Sequence, residues 1–257
     1  MTTSIKVLLA GESWISQSTH IKGWDFFSSA DYQTGIEYLE RALVDAGITF
    51  THLPNHLAAA QFPSTQEELS RYDVVILSDI GANTLLLHPD TWLHGRPHPN
   101  RLRLIADWVR DGGGLVMCGG YYSFQGIYGA ARYRGTPVEE VLPVTILPVD
   151  DRVEIPEGET PEVVAHHHPI VSGIDGDWPY LLGCNEVMLK ADAQLVATLG
   201  RYPLLATRQV GQGRTVVWTS DIGPHWCPEV FATWHGYAQL WQQVVQWVAT
   251  SAEVAHR

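Results

Sequence analysis

Charge is scarce in this chain, and cysteine is scarcer still. Only 17% of its 257 residues are Asp, Glu, Lys or Arg, too few for a disordered or coiled-coil protein. Basic residues are outnumbered 16 to 28, for a formal net charge of −12. A surface of that sign repels phosphate backbones and anionic lipid, so neither nucleic acid nor a membrane surface is an expected partner. No apolar run approaches the length of a bilayer span. The stretch Met1 to Ala10, with one lysine and a short apolar segment, falls far short of a signal peptide's apolar region. Three cysteines (Cys118, Cys184, Cys227) at irregular spacing give neither a disulfide framework nor a CxxC zinc pair. A cytoplasmic, reduced protein is expected.

Phosphate-cradling motifs are also missing. There is no GxxxxGK[ST], and Gly112-Gly113-Gly114 leads into an apolar strand instead of opening a helix, so no nucleotide cofactor is expected. His166-His167-His168 invites a metal reading. Consecutive residues of an extended segment point to opposite faces, so three in a row do not converge on one ion, and no metal is expected.

What the chain has is apolar bulk. Hydrophobic residues make up 45%, with 10 Trp, 10 Tyr and 6 Phe, enough for a substantial core. Ile5 to Ala10, Ile48 to Leu53, Asp73 to Ser78 and Leu115 to Cys118 read as strands buried in a parallel sheet. Between them lie helical stripes at 31–46, closed by Gly47, and at 100–110. Ser64 to Glu67 fits a capping box for a short helix reaching Tyr72. This alternation predicts an α/β, doubly wound, mostly parallel sheet with helices on both faces. From 136 to 200 the pieces become short and β-rich (Val144–Pro148, Val163–His166, Val187–Leu189, Leu195–Leu199), an antiparallel extension with surface loops at 150–162 and 172–183. Gly211-Gln212-Gly213 turns a hairpin between Leu204–Arg208 and Arg214–Trp218. One long terminal helix opens near Pro228. No boundary divides residues 1–257, so they read as one domain.

Candidate chemistry gathers where strands end. Cys118, in Leu115-Val116-Met117-Cys118-Gly119-Gly120, sits at a strand end followed by a sharp turn. Backbone N–H groups there favour a thiolate or hold an oxyanion, although a packed core thiol is an equal reading. A cysteine nucleophile needs a base, and the base needs an orienting group. His225 lies just past a strand end and before the last helix, with Asp221 or Glu229 as orienting candidates. Glu12, just past the first strand, would hydrogen-bond the Cys118 sulfur as a protonated acid, or else be a solvated loop carboxylate. Ser78-Asp79-Ile80-Gly81 is echoed by Ser220-Asp221-Ile222-Gly223, two strands leaving the sheet alike with an acid at each carboxyl end, where ligands sit in open α/β sheets.

With these residues assembled, the chain resembles the class I glutamine amidotransferase-like superfamily, in particular its single-domain putative glutamine amidotransferase group of bacterial cytoplasmic proteins. Gly11-Glu12, Ser78-Asp79-Ile80-Gly81, Cys118-Gly119-Gly120, His168-Pro169-Ile170 and Val217 through Trp226 carry the resemblance. It implies a flavodoxin-like three-layer fold, Cys118 as nucleophile at an elbow, and His225 as base. It also implies an oxyanion hole from backbone N–H groups near Gly81 and Gly119. The chemistry implied is attack on a carboxamide, ammonia release and thioester hydrolysis.

Two departures stand out. Active members carry glycine two residues before the nucleophile, where Val116 stands, and follow the base with Pro-Glu, where Trp226-Cys227 stands. The chain carries no synthetase domain, so released ammonia would pass to a partner protein. Three readings follow: a cysteine hydrolase of the glutaminase type acting on a small molecule; a non-catalytic ligand-binding or assembly module; or a thiol enzyme pairing Glu12 with Cys118 on small carbonyl substrates. Tryptophans expected in loops (Trp14, Trp24, Trp92, Trp178, Trp226) suit a sugar-type pocket or a homo-oligomer interface in the second reading.

Overall fold

The computed structural model describes residues 4–250; Met1 to Thr3 of the amino-terminal stretch lie outside the described residues. The chain opens with β1 (Lys6–Gly11), whose Val-Leu-Leu-Ala run is buried throughout. It then makes a two-stranded ribbon, β2 (Ser13–Lys22) and β3 (Asp25–Thr34). Then come α1 (Glu37–Val44), β4 (Thr49–Leu53), α2 (Asn55–Gln61), α3 (Gln66–Leu69) and β5 (Val74–Ser78). Next are α4 (Ala82–Leu86), α5 (Pro89–His94), α6 (Arg101–Arg110) and β6 (Gly114–Cys118). The second half holds α7 (Pro137–Val141), β7 (Val144–Ile146), β8 (Arg152–Glu159), β9 (Pro161–Val163), β10 (Leu181–Asn185) and β11 (Val187–Leu189). It closes with β12 (Gln194–Leu199), β13 (Tyr202–Val210), β14 (Gly213–Trp218), α8 (Glu229–Ala232) and α9 (His235–Ala249).

One sheet of 8 strands, in the order β4-β1-β5-β6-β14-β13-β12-β9, forms the middle layer. From β4 to β14 neighbours run parallel, and from β14 onward they run antiparallel. This is the flavodoxin-like α/β fold with an antiparallel extension. Alternation along each strand sends side chains to two separate cores. On β6, Leu115 and Met117 enter one, while Val116 and Cys118 enter the other, beside Trp218, Phe231 and Trp241. The carboxyl ends of β1, β5, β6 and β14 therefore lie along one edge of the sheet.

Several local expectations are corrected. The helix expected over 31–46 starts only at Glu37, because Asp31 to Thr34 are strand. They pair with Ser13 to Ser16 across a ribbon turned at Gly23, which takes φ +65°. The capping box sits one residue later than read. Thr65 accepts from the Glu68 N–H at 3.2 Å, and the Glu68 carboxylate reaches back to the Ser64 N–H at 2.7 Å. The supposed surface loops at 150–162 and 172–183 contain β8, β9 and the start of β10, with β8 and β10 paired antiparallel. The final helix is two helices. Trp234 is extended between them and folds its ring over Gly236, where a Cβ would collide with that ring.

Candidate functional site at the carboxyl edge

The site is built from residues that follow strand ends: Glu12 and Asp79 one step on, Tyr121 and Asp221 three, and His225 seven. Leaving β1, Glu12 takes φ +49°, and leaving β5, Asp79 takes φ +44°; such left-handed turns are rare for residues other than glycine. The turn at Glu12 is fixed by its N–H donating to the Ser78 carbonyl at 2.8 Å. Leaving β6, the chain turns at Gly120, φ +134°, where a Cβ would sit 3.0 Å from Asp79 Oδ1 and 3.1 Å from Asp221 Oδ1. Two carboxylates thus crowd the place a side chain at this glycine would take. The turn is held from behind by buried Asn185, whose Oδ1 accepts from the Gly120 N–H at 3.0 Å and whose Nδ2 donates to Asp151 at 2.9 Å.

A cavity of about 260 Å³ opens over these strand ends, lined by Glu12, Trp14, Asp79, Tyr121, Asp221 and His225, with Gly223 and Pro224 at its rim. Inside it, His225 Nδ1 lies 2.7 Å from Asp221 Oδ2, and the same oxygen accepts from the Trp226 N–H at 2.9 Å. That bond and the negative charge of Asp221 raise the imidazole's pKa against the lowering effect of burial. Tyr121 meets the ring edge-on at 4.7 Å and Trp226 stacks at 5.5 Å. Arg152 covers the Tyr121 ring at 4.7 Å. The imidazole is thus oriented, and half exposed toward the cavity.

The other acids are in the opposite situation. Glu12 is buried and its carboxyl pKa is raised well above the ordinary range, first by desolvation and then by the charges of Asp79 and Asp221. Its Oε2 accepts from the Ser78 hydroxyl at 2.6 Å. Asp79 is pushed up to about 6, again mainly by burial, although the Tyr122 N–H bonds its Oδ1 at 2.7 Å and works the other way. The edge therefore holds a Glu12 that gives up its proton less readily than an ordinary carboxyl, an Asp79 raised to about 6 and a dyad of Asp221 with His225. No Lys or Arg is among the lining residues.

Cys118 is placed differently from the expectation for a nucleophile. Its side chain has no exposed area and does not line the cavity. It is not among the residues with positive φ, so the strand end is no elbow in the sense of a strained nucleophile. The sulfur packs with the apolar side chains of the core, and its polar neighbour is the Ser78 hydroxyl. Burial, followed by the nearby Glu12 charge, raises the thiol's pKa well above that of a free cysteine.

The expected oxyanion donors are also spoken for or covered. The Gly119 N–H donates to the Trp218 and Ser220 carbonyls at 2.7 and 2.9 Å, and Gly81 is buried against Tyr122 and Ala131. Glu229 is exposed on α8, 3.4 Å from the Tyr38 hydroxyl, and Asp221 alone orients His225. Asp79 and Tyr121 join the site without having been singled out as candidates. The repeated Ser-Asp-Ile-Gly marks the first. Tyr121, directly after Cys118-Gly119-Gly120, carried no comparable signal.

His166, His167 and His168 border one surface cavity, with only His168 turned into the protein. His168 is buried, bonded at Nδ1 by the Ile170 N–H (3.2 Å), and its pKa is pushed down to about 4 by burial. Among the described residues, His88, Asp90 and His98 bring donor atoms within 4.8 Å of one another. The two imidazoles stack face to face at 3.7 Å and 3°, so their in-plane lone pairs run side by side instead of converging.

A family model described as putative glutamine amidotransferase matches residues 6–250. Among solved structures, the chain is similar to cytoplasmic protein STM3548 from Salmonella typhimurium, with 42% identity and a TM-score of 0.92 over 95% of this chain and 99% of that one. Cytoplasmic protein STM1381 from Salmonella typhimurium LT2 is 40% identical with a TM-score of 0.91, over the same shares. A putative thua-like protein from Parabacteroides merdae, 14% identical at a TM-score of 0.59 over 96% of this chain and 91% of its own, shares the fold. No curated protein matches the chain. Among the described residues no helix is long and apolar enough to cross a membrane.

Proposed function

The chain belongs to the putative glutamine amidotransferase family, and from that premise we propose that its cavity takes a small neutral molecule rich in hydroxyl groups, of the sugar or polyol kind. His225, oriented by Asp221, exchanges a proton with it, and no thioester forms on Cys118. The observation that carries this reading is the 2.7 Å bond between His225 Nδ1 and Asp221 on a half-exposed ring, in a cavity that Cys118 does not line.

The direction of the chemistry follows from the charges. With Nδ1 committed to Asp221, Nε2 is the nitrogen left for a ligand, and an aspartate behind the ring strengthens it as a base. Burial makes Glu12 hold its proton more tightly than an ordinary carboxyl, which suits it to donate where His225 accepts. Free glutamine brings an α-carboxylate beside its α-ammonium, and the cavity, lined by Asp79 and Asp221 and without Lys or Arg, offers that carboxylate only the imidazole of His225. A neutral ligand needs no partner for a carboxylate, and the Trp14 and Tyr121 rings of the lining suit the C–H side of a sugar.

The amidotransferase reading, a Cys118 thiolate attacking a carboxamide, draws on family membership and shares the test. The His225 ring signals are followed by NMR while methyl glucoside, glycerol or L-glutamine is titrated in, and ammonia release from L-glutamine is measured alongside. The proposal expects saturable shifts with a neutral polyol and no Cys118-dependent ammonia. Ammonia release that disappears in Cys118→Ala would overturn it, as would ring signals that respond to glutamine alone.

A further inference from the structure

Next to the cavity stands a feature that neither the sheet nor the site requires. The β2–β3 ribbon forms its own two-stranded sheet, separate from the central one. Ten residues per strand make it about 30 Å long. Along both strands every residue but Ser13, Ser16 and Thr34 is exposed. Its root is held by the Trp14 indole N–H donating to Gln33 at 2.9 Å, and by Tyr32 set edge-on to His56 of α2 at 5.2 Å. Beyond that root the ribbon projects without a covering layer.

The ribbon's composition does not suit solvent. Trp24 is 100% exposed, Ile21 76% and Phe26 75%, with Ile15, Phe27 and Tyr32 each more than half exposed. Cross-strand register puts Ile15 beside Tyr32 and Ile21 beside Phe26 on the same face, with Ala30 between the two pairs. An isolated two-stranded hairpin is at best marginally stable in water, and a third strand or a packed face is what makes such ribbons persist. Both outer edges also carry unpaired backbone groups, which favour pairing with another chain.

We propose that the ribbon is the arm through which two copies of this chain associate. Two observations choose a second copy over another partner. Ile15, Ile21, Phe26 and Tyr32 on one face, with Trp24 at the tip, offer roughly 800 Å² of surface, what one partner contributes to a standard stable interface. Charge argues the same way. The chain carries −12 overall, so two copies repel except through surface that is nearly uncharged. Residues 13–34 hold one lysine and two aspartates, the kind of segment that lets like meet like, and they offer nothing to a partner selected by charge. A twofold dimer uses one patch twice, so a single arm suffices for both copies. Because the arm begins one residue after Glu12 and its Trp14 lines the cavity, association fixes one wall of the site.

Sedimentation equilibrium of the full chain and of Ile21→Ser/Phe26→Ser tests this. Wild type is expected to be a dimer at micromolar concentration. The double variant is expected to retain its far-UV circular dichroism while associating at least about thirtyfold more weakly, the loss of one interface hot spot. A monomeric wild type, or a variant that dimerises as tightly as wild type, overturns the proposal. Hydrogen exchange on wild type stands apart from the variant's folding. Amides of residues 13–34 should be protected in concentrated protein and lose protection on dilution, whereas exchange equally fast at both concentrations overturns the arm. Flotation of monomeric wild type with phosphatidylcholine vesicles would overturn it in favour of a lipid surface.

Discussion

Replacing Asp79 by Asn should stabilise this protein at neutral and alkaline pH and leave it unchanged in acid. Asp79 sits at about 6 in the fold, against an ordinary 3.8, chiefly because it is buried and secondarily because Asp221 is close. The folded chain therefore binds a proton more tightly than the unfolded one. Between pH 4 and 6 the folded state holds the extra proton, so stability falls as pH rises through that window and is level above it. At 1.36 kcal/mol per pH unit, the two-unit displacement is worth at most about 3 kcal/mol.

In Asp79→Asn the new amide never ionises, keeps an oxygen for the Tyr122 N–H now 2.7 Å from Oδ1, and tolerates the φ of +44° better than most residues. The gain is thus expected to reach about 3 kcal/mol at pH 8 and vanish near pH 3. In a domain of this size about 1 kcal/mol moves Tm by roughly 2–4 °C. Calorimetric Tm of both proteins from pH 3 to 8 measures the difference curve. A difference that is flat with pH, or a variant less stable than wild type at pH 8, would refute the placing of a buried, reluctant carboxylate at this edge.

Three further outcomes follow from the same geometry. Asp221→Asn should lower the His225 pKa measured by NMR, since that carboxylate is the main cause of its elevation. The raised imidazole stabilises the fold below its unfolded pKa of about 6.5, and that contribution is lost as pH rises through the folded value, so the variant's stability should be flatter across that range. Native Cys118 should resist iodoacetamide until the chain is unfolded with urea, and Cys118→Ala should cost about 1–2 kcal/mol by urea titration as a small core deletion; rapid alkylation of folded protein refutes this. Gly119→Ala should cost about 3 kcal/mol or more by the same titration, because its Cβ would run into the Thr219 carbonyl, a backbone atom. A variant that folds as stably as wild type would mean that the glycine serves something other than close packing.

The inner parallel strands β1, β5 and β6 were legible because they are short apolar runs, and burial on both faces demands that composition. Val187–Leu189 lay where it was read, and Gln194–Leu199 began one residue early. The ribbon at 13–34 was not legible. Serine, threonine and aromatic residues alternate on two faces that are both exposed, so no polar-against-apolar period marks them as strand. The same holds for β8, whose Glu-rich face points outward and reads as loop. The break between α8 and α9 depends on the Trp234 ring lying over Gly236, a contact between side chain and backbone that helical periodicity does not encode. At the site, both acids of the repeated Ser-Asp-Ile-Gly, Asp79 and Asp221, line the cavity. Only the register of β6 decides which way a strand-end cysteine faces.

That register explains why Cys118 drew attention and why the strain lies elsewhere. A nucleophile at a strand end must be turned outward, which needs a positive φ at the nucleophile itself and small neighbours on both sides. Here Val116 stands two residues earlier, and Cys118 continues the strand's alternation into the same core beside Trp218. Positive φ appears instead at Glu12 and Asp79, the non-glycine residues that leave β1 and β5, each with its carboxyl pKa raised. Local strain of about 1–3 kcal/mol persists where surrounding structure over-determines it, and it gathers at functional sites. Two strained acids facing one oriented imidazole make the carboxylates and His225, rather than the thiol, the groups on which this edge spends its stability.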